Sequence, residues 1–175
     1  MFNFQAKRES ATQLLTDKKS IKKLKEILKD LLEERDPYKR KGYPRAGAFD
    51  RLSMIVLEGL DEERLKLSFF HPAPRMIHQR EIIIKGQLKN LVSTSTPLPI
   101  NALFLVGYHR FAGAIKYGEA LNLQFSQLEQ GIFLQALHDA LSQQKIANHL
   151  QGGLRLNNLS IALPLDMEGI TGLIV

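Results

Sequence analysis

The stretch SQLEQGIFLQALHDALSQQKIANHLQ, residues 126 to 151, decides how the chain is read, because it is the one long helical pattern with strand-like sequence on both sides. Ser126-Gln127-Leu128-Glu129 has the form of a capping box, in which the hydroxyl and the carboxylate satisfy each other's backbone N–H groups. Gly152 and Gly153 offer the positive φ of a helix C-cap. Between them Leu128, Ile132, Phe133, Ala136, Leu137, Ala140, Leu141, Ala147 and Leu150 recur at three- and four-residue spacing and predict a helix over about 127–151 with one apolar stripe.

On both sides the period changes. Residues 64–70 alternate, with Leu65, Leu67 and Phe69 against Lys66 and Ser68, and His71-Pro72-Ala73-Pro74 ends the run with a stiff turn. Residues 81–92 read as strand through Ile82, Ile83, Ile84, Leu88 and Val92, with Gly86 at a turn or bulge. The nearly unbroken apolar run 100–108 predicts a central strand, and 112–123 a further one weakened by Gly113 and Gly118. After the helix, residues 154–165 alternate again, and Asp166-Met167-Glu168-Gly169 turns them back into 170–175 as a hairpin. Leu173-Ile174-Val175 call for a buried place in the sheet or for a partner's sheet edge.

The front of the chain is helical. Ile21, Leu24, Leu28 and Leu31, widened by Ile27 and Leu32, form a stripe that ends at Asp36-Pro37. A loop follows, and Phe49, Leu52, Ile55, Val56 and Leu60 predict a second helix over 49–60. The expected fold is α+β: N-terminal helices, then a mainly antiparallel sheet carrying the long helix, then a C-terminal β-hairpin. At 175 residues the chain suits a single domain, with a subdivision into a basic helical segment 1–48 and an α+β core 49–175 also open.

Charge is regional. The net charge is +6, and residues 18–45 hold eleven Lys or Arg against five Asp or Glu, while the remaining chain has thirteen of each. Lysines crowd the start of the first helix and acids its end, against the preference of the helix dipole, so their placement serves something other than helix stability. Lys18, Lys19, Lys22, Lys23 and Lys29, with Tyr38, Lys39, Arg40, Lys41, Tyr43 and Arg45 of the following loop, are therefore the candidate partner-binding residues. Cations interleaved with aromatics suit an acidic protein surface or phosphates and stacked bases. A second candidate surface is Tyr108, His109 and Arg110 at a strand end.

Catalytic signatures are scarce. The chain has no cysteine, so disulfides, thiolate metal sites and cysteine nucleophiles are excluded. Ser20-Ile21-Lys22-Lys23 and Ser142-Gln143-Gln144-Lys145 match S-x-x-K without its companion motifs, and no phosphate-binding or dinucleotide-binding glycine motif is present. His138 and His149 would stand about 16 Å apart on one helix, too far for one ion. No cofactor or metal is implied. No run reaches the roughly 20 apolar residues of a membrane helix, and residues 1–8 lack the apolar core of a secretory signal, so the expected location is cytoplasmic, with leaderless export open. Three function classes follow: a non-catalytic interaction or adaptor protein with a basic N-terminal docking surface, a nucleic-acid binder using residues 18–45, and an enzyme whose site is assembled from distant residues. The last requires a pocket lined by at least two of His71, His78, Glu81, His109, Arg110 and Glu119.

Overall fold

The computed structural model describes residues 18–33, 42–44, 52–73, 76–93, 100, 102–109, 112–158 and 167–175. Helix α1 (Lys18–Leu32) is followed by strands β1 (Leu52–Gly59), β2 (Arg64–Ala73), β3 (Met76–Lys85) and β4 (Ala102–His109). Then come the short helix α2 (Ala114–Tyr117), the long helix α3 (Glu119–Gln143) and strands β5 (His149–Gln151) and β6 (Met167–Ile174). The strands form one six-stranded antiparallel sheet in the order β3-β2-β1-β4-β6-β5, with β5 and β6 as a C-terminal hairpin. The architecture is the α+β class that the periodicities predict.

The central strands are buried on both faces, which explains their composition. Side chains facing α1 and α3 alternate with those facing away, and each set builds its own core. On the helix side, Met54, Val56, Phe70, Phe104, Val106 and Leu173 pack against Leu24, Leu28, Leu31 and Leu32 of α1 and Phe133, Leu137 and Leu141 of α3. On the other side, Ile55, Leu57, Leu65, Leu67, Leu103, Leu105 and Ile174 are closed off by Leu88, Leu91 and Val92. The helix α1 shares its core with α3, so its leucines belong to the same packed body as the sheet.

Several expected elements differ. Residues 49–60, expected helical, contain β1, whose residues from Leu52 to Leu57 are all buried; a strand covered on both faces is apolar at every position and so also satisfies helical spacing. Residues 112–123, expected as strand, hold α2 and the first turns of α3, with Gly113 and Gly118 at positive φ where the chain breaks and restarts. The long helix is displaced from its expected 127–151. It begins at Glu119, so Ser126 is no cap: it lies inside the helix, where its Oγ donates to the Asn122 carbonyl at 2.8 Å. It ends at Gln143, where Gln144 N–H donates to Ala140 O and Ile146 N–H to Leu141 O, with Lys145 at φ 57° in the place expected of a glycine. Residues 149–151 then form β5. Of the alternating run 154–165, Leu154 makes a bridge with Val92, Arg155 N–H donates to Leu91 O, 156–158 form a 3₁₀ turn, and 159–165 lie outside the described residues.

The terminal triplet is buried as its composition requires. Leu173 and Ile174 sit in β6 beside β4, and Val175 exchanges two backbone hydrogen bonds of 3.0 Å with Ala102. Among the described residues no helix is long and apolar enough to cross a membrane.

Candidate functional site

The cations of α1 divide into two groups by position. Lys25 points inward, where its ammonium meets the Glu58 carboxylate of β1 and lies 3.5 Å from Glu81 of β3. Cross-strand pairing sets Glu58 opposite Lys66, and Ser68 opposite Glu81, all on the face that α1 covers. Lys66 reaches Glu81 at 2.8 Å and the Ser68 hydroxyl donates to Glu81 at 3.2 Å. The hydrogen bond from Lys66, then the nearby charge of Lys25, hold the Glu81 carboxyl at about 2, well below the usual carboxylate range. The same partnership pushes Lys66 upward. Lys25 is thus a positioning cation that fixes α1 across the sheet.

Lys22, Lys23 and Lys29 lie on other sides of the helix. Lys22 is 80% exposed at its side chain and stands 3.9 Å from Glu26, a pairing of small energetic consequence at such exposure. Lys29 is exposed and Lys23 half-buried, and Lys18 and Lys19 occupy the first turn of α1, which contains no acid. Further along, Asp30 and Glu33 interrupt the exposed row, so the basic character belongs to the front half of the helix. Tyr38, Lys39, Arg40, Lys41, Arg45 and Arg110 lie outside the described residues.

Two of the candidate tyrosines, Tyr43 and Tyr108, turn inward. Tyr43 is buried, meets Phe133 edge-on at 4.9 Å and places its hydroxyl 3.4 Å from the Glu129 carboxylate. Tyr108 is buried in the same core. Neither ring is presented to a partner as a stacking surface. His109 is half-buried, with Nε2 2.5 Å from the Ser53 hydroxyl.

A serine beside an imidazole supplies two parts of a nucleophilic site, which also needs a concave space and oxyanion donors. A cleft among the described residues lies elsewhere. Its volume is about 440 Å³, and Gly59, Asp61, Glu62, Leu65, Gln87, Leu88, Lys89 and Ile100 line it. Ser53 lies near the start of β1 and Gly59 at its end, about 20 Å apart at 3.3 Å per residue. Of the six residues from which the enzymatic reading needs at least two, Glu81, His109 and Glu119 do not line this cleft. Its Asp61 is occupied locally: the carboxylate caps the turn by accepting from the Glu63 and Arg64 N–H groups, and it receives the Arg64 guanidinium at 2.6 Å. The Glu63 N–H and Arg64 side chain hold its carboxyl below the ordinary value.

The histidines fall at separate places in the fold, two of them paired across strands. His71 and His78 fall opposite one another in the β2–β3 ladder, and His138 Nδ1 lies 2.6 Å from the Asn148 side chain. Among the described residues no three His, Asp or Glu side chains gather as metal ligands.

Periodicity did not disclose the buried polar face of α3. Asn122, Ser126, Glu129 and Gln130 are all buried, and they displace the buried stripe from the apolar one, leaving Leu128 on the outside. Gln130 is the connecting residue: its amide donates to Val106 O at 2.8 Å and to Gly169 O at 2.6 Å.

No family model matches the chain, and no curated protein matches it either. Among solved structures it is similar to a chain of the E. coli microcin synthetase McbBCD complex with truncated pro-MccB17 bound. The TM-score is 0.63 at 13% identity, over 88% of this chain and 61% of that one. At that identity the likeness shows a shared fold, and this chain spans 61% of the length of its neighbour.

Proposed function

We propose that this chain is a non-catalytic interaction protein that engages an acidic protein surface through its basic N-terminal third. The observation that carries the reading is the division of the α1 lysines: Lys25 is held by Glu58 and Glu81, while Lys22, Lys23 and Lys29 lie on the other sides of the helix. A lysine-rich first turn without an acid opposes the helix macrodipole. An external anionic surface would gain from it. The likeness to a chain of a multiprotein synthetase complex supports a role within an assembly.

Deleting residues 1–48 is unsuitable as a test, because Leu24, Leu28, Leu31 and Leu32 fill the core. Charge reversal leaves the core intact. Lys22→Glu, Lys23→Glu and Lys29→Glu, combined with Lys39→Glu, Arg40→Glu and Lys41→Glu, should abolish capture of protein partners from extract at low salt while the circular dichroism is unchanged. Capture that survives the six reversals overturns the reading. A steep log-linear loss of affinity for mixed-sequence RNA or DNA with salt would instead assign the same residues to nucleic acid.

A further inference from the structure

Strand β3 is an open edge. It stands first in the sheet order and, among the described residues, pairs with β2 alone, so alternate backbone N–H and C=O groups point away from the sheet. Proteins blunt such edges by keeping them short, or with bulges or proline. The opposite edge, β5, follows that rule at three residues. By contrast, β3 runs for ten residues without proline, and its ladder with β2 keeps one register from Lys85 to Met76.

The second half of this strand is also apolar. Residues 82–84 are three successive isoleucines, and Ile83 is 60% exposed. Ile82 and Ile84 lie half-buried at the rim of the core on the far side of the sheet from α1. Ile83, opposite Lys66 in the ladder, falls on the α1 side, together with Glu81 opposite Ser68 and Lys85 opposite Arg64.

The order of these residues selects the occupant. Two copies of one strand joined antiparallel about an axis normal to the sheet oppose residues of equal parity, because each face must continue into itself. Centred on Ile83, that pairing sets Ile83 against its own copy, Ile82 against Ile84 twice, and Glu81 against Lys85 twice. Moving the centre by one residue loses the match, since Glu81 or Lys85 then opposes Ile83. A strand of unrelated sequence would meet the same charges without their complement. Glu81 is held by Lys66 and Lys25 of its own chain and its side chain is still 41% exposed, so the Lys85 of a second copy would meet a carboxylate already in place.

We propose that β3 is a homodimer edge, pairing antiparallel with β3 of a second copy about Ile83 and joining the two sheets into one. This goes beyond the docking role of α1 and uses none of Lys22, Lys23 and Lys29. A single strand pair is smaller than the roughly 800 Å² per partner of stable complexes, so the dimer forms in a concentration-dependent manner.

Sedimentation equilibrium of the full chain from micromolar to millimolar concentration should show a monomer–dimer equilibrium. Ile83→Lys opposes two cations on the axis, and Lys85→Glu opposes carboxylates on either side of it. Each should raise the dissociation constant at least about tenfold with an unchanged circular dichroism spectrum. Because the chain has no cysteine, Ile83→Cys reads the register: it should give a disulfide-linked dimer on mild oxidation. Arg80→Cys should not, because residue 80 lies about 20 Å from its own copy at 3.3 Å per residue. Leu150→Cys, exposed on the β5 edge, should not either. A chain monomeric throughout the range, a dimer undiminished by Ile83→Lys or by Lys85→Glu, or crosslinking at residue 80 or 150 equal to that at 83 overturns the proposal. An edge filled instead by a strand of a different protein counts against it in the same way, and each of these results leaves the role of α1 standing.

Discussion

The side-chain amide of Gln130 on α3 donates to the backbone carbonyl of Gly169 on β6 at 2.6 Å. The same nitrogen donates to Val106 of β4 at 2.8 Å, and between them the β4–β6 ladder shifts register, from Val106↔Thr171 to Tyr108↔Glu168. A bulge leaves ladder groups without their regular partners. Gln130 supplies the missing donor to both strands from the helix above. Gln130→Met keeps the shape and removes both hydrogens, so the buried Val106 carbonyl loses this donor, while the exposed Gly169 carbonyl keeps the Thr171 hydroxyl at 3.4 Å. Urea denaturation should show a loss of about 1–3 kcal/mol.

Gly169 itself tolerates no side chain. Its φ is 57°, and a Cβ would stand 2.2 Å from the Tyr108 ring, which is buried. Gly169→Ala combines left-handed strain with a clash and should lower stability by at least about 2 kcal/mol. Gly131→Ala, on open surface in a helix, should raise monomer stability by up to about 1 kcal/mol. Thermal melts of the two variants at micromolar concentration check the opposite signs.

Lys25 is nearly enclosed, at 17% exposed, and Glu58 at 15%. Lys25→Met removes the cation and leaves Glu58 and Glu81 facing one another, which should cost about 3 kcal/mol. Lys25→Met with Glu58→Gln removes both charges and should recover most of the loss. A double-mutant cycle by denaturant titration measures the coupling.

Acid sensitivity should trace partly to Glu81. Its carboxyl is held at about 2, below its ordinary value, so the stabilisation is present above the unfolded value and disappears as pH falls from about 4.5 toward 2. Glu81→Gln should therefore be less stable than the natural chain at pH 7 and equal to it near pH 2. Since the side chain is 41% exposed, the difference should be modest and should shrink in high salt.

Phe133 anchors the contact between α3 and the loop before β1. It is fully buried, meets Tyr43 edge-on at 4.9 Å and approaches Phe104 at 6.1 Å. Phe133→Ala should cost about 3–5 kcal/mol by chemical denaturation. Tyr43→Phe keeps the edge contact and loses only the hydroxyl's approach to Glu129, so its cost should be near 1 kcal/mol.

What the sequence disclosed followed the strength of its period. The helix α1 is wet on the side away from its leucines, and β2 carries polar Lys66 and Ser68 on the face that α1 covers, so both periods were legible. The strand β1 is apolar at nearly every position because both of its faces are covered, and such a run carries no period to read. The ends of α3 were misplaced for a different reason. Lys145 takes the positive φ assigned to glycine, and Ser126 uses its hydroxyl inside the helix instead of at its start. The buried Asn122, Glu129 and Gln130 broke the expected link between polarity and exposure. In the candidate site, Lys22 and Lys29 are outward as expected, whereas Tyr43 and Tyr108 are buried. A tyrosine's sequence does not reveal which end of its ring is wet. The tie from Lys25 to Glu58 and Glu81 joins residues more than thirty positions apart, and local pattern carries no trace of such pairs.

The want of basic residues along α3 has a practical side. Trypsin cuts after lysine and arginine, so the helix is released whole, as one fragment from Tyr117 to Lys145. Amine-reactive crosslinkers will label α1 densely and leave α3 silent. Footprinting by carbene or hydroxyl radicals, which modify leucine, is the chemistry that can see that surface.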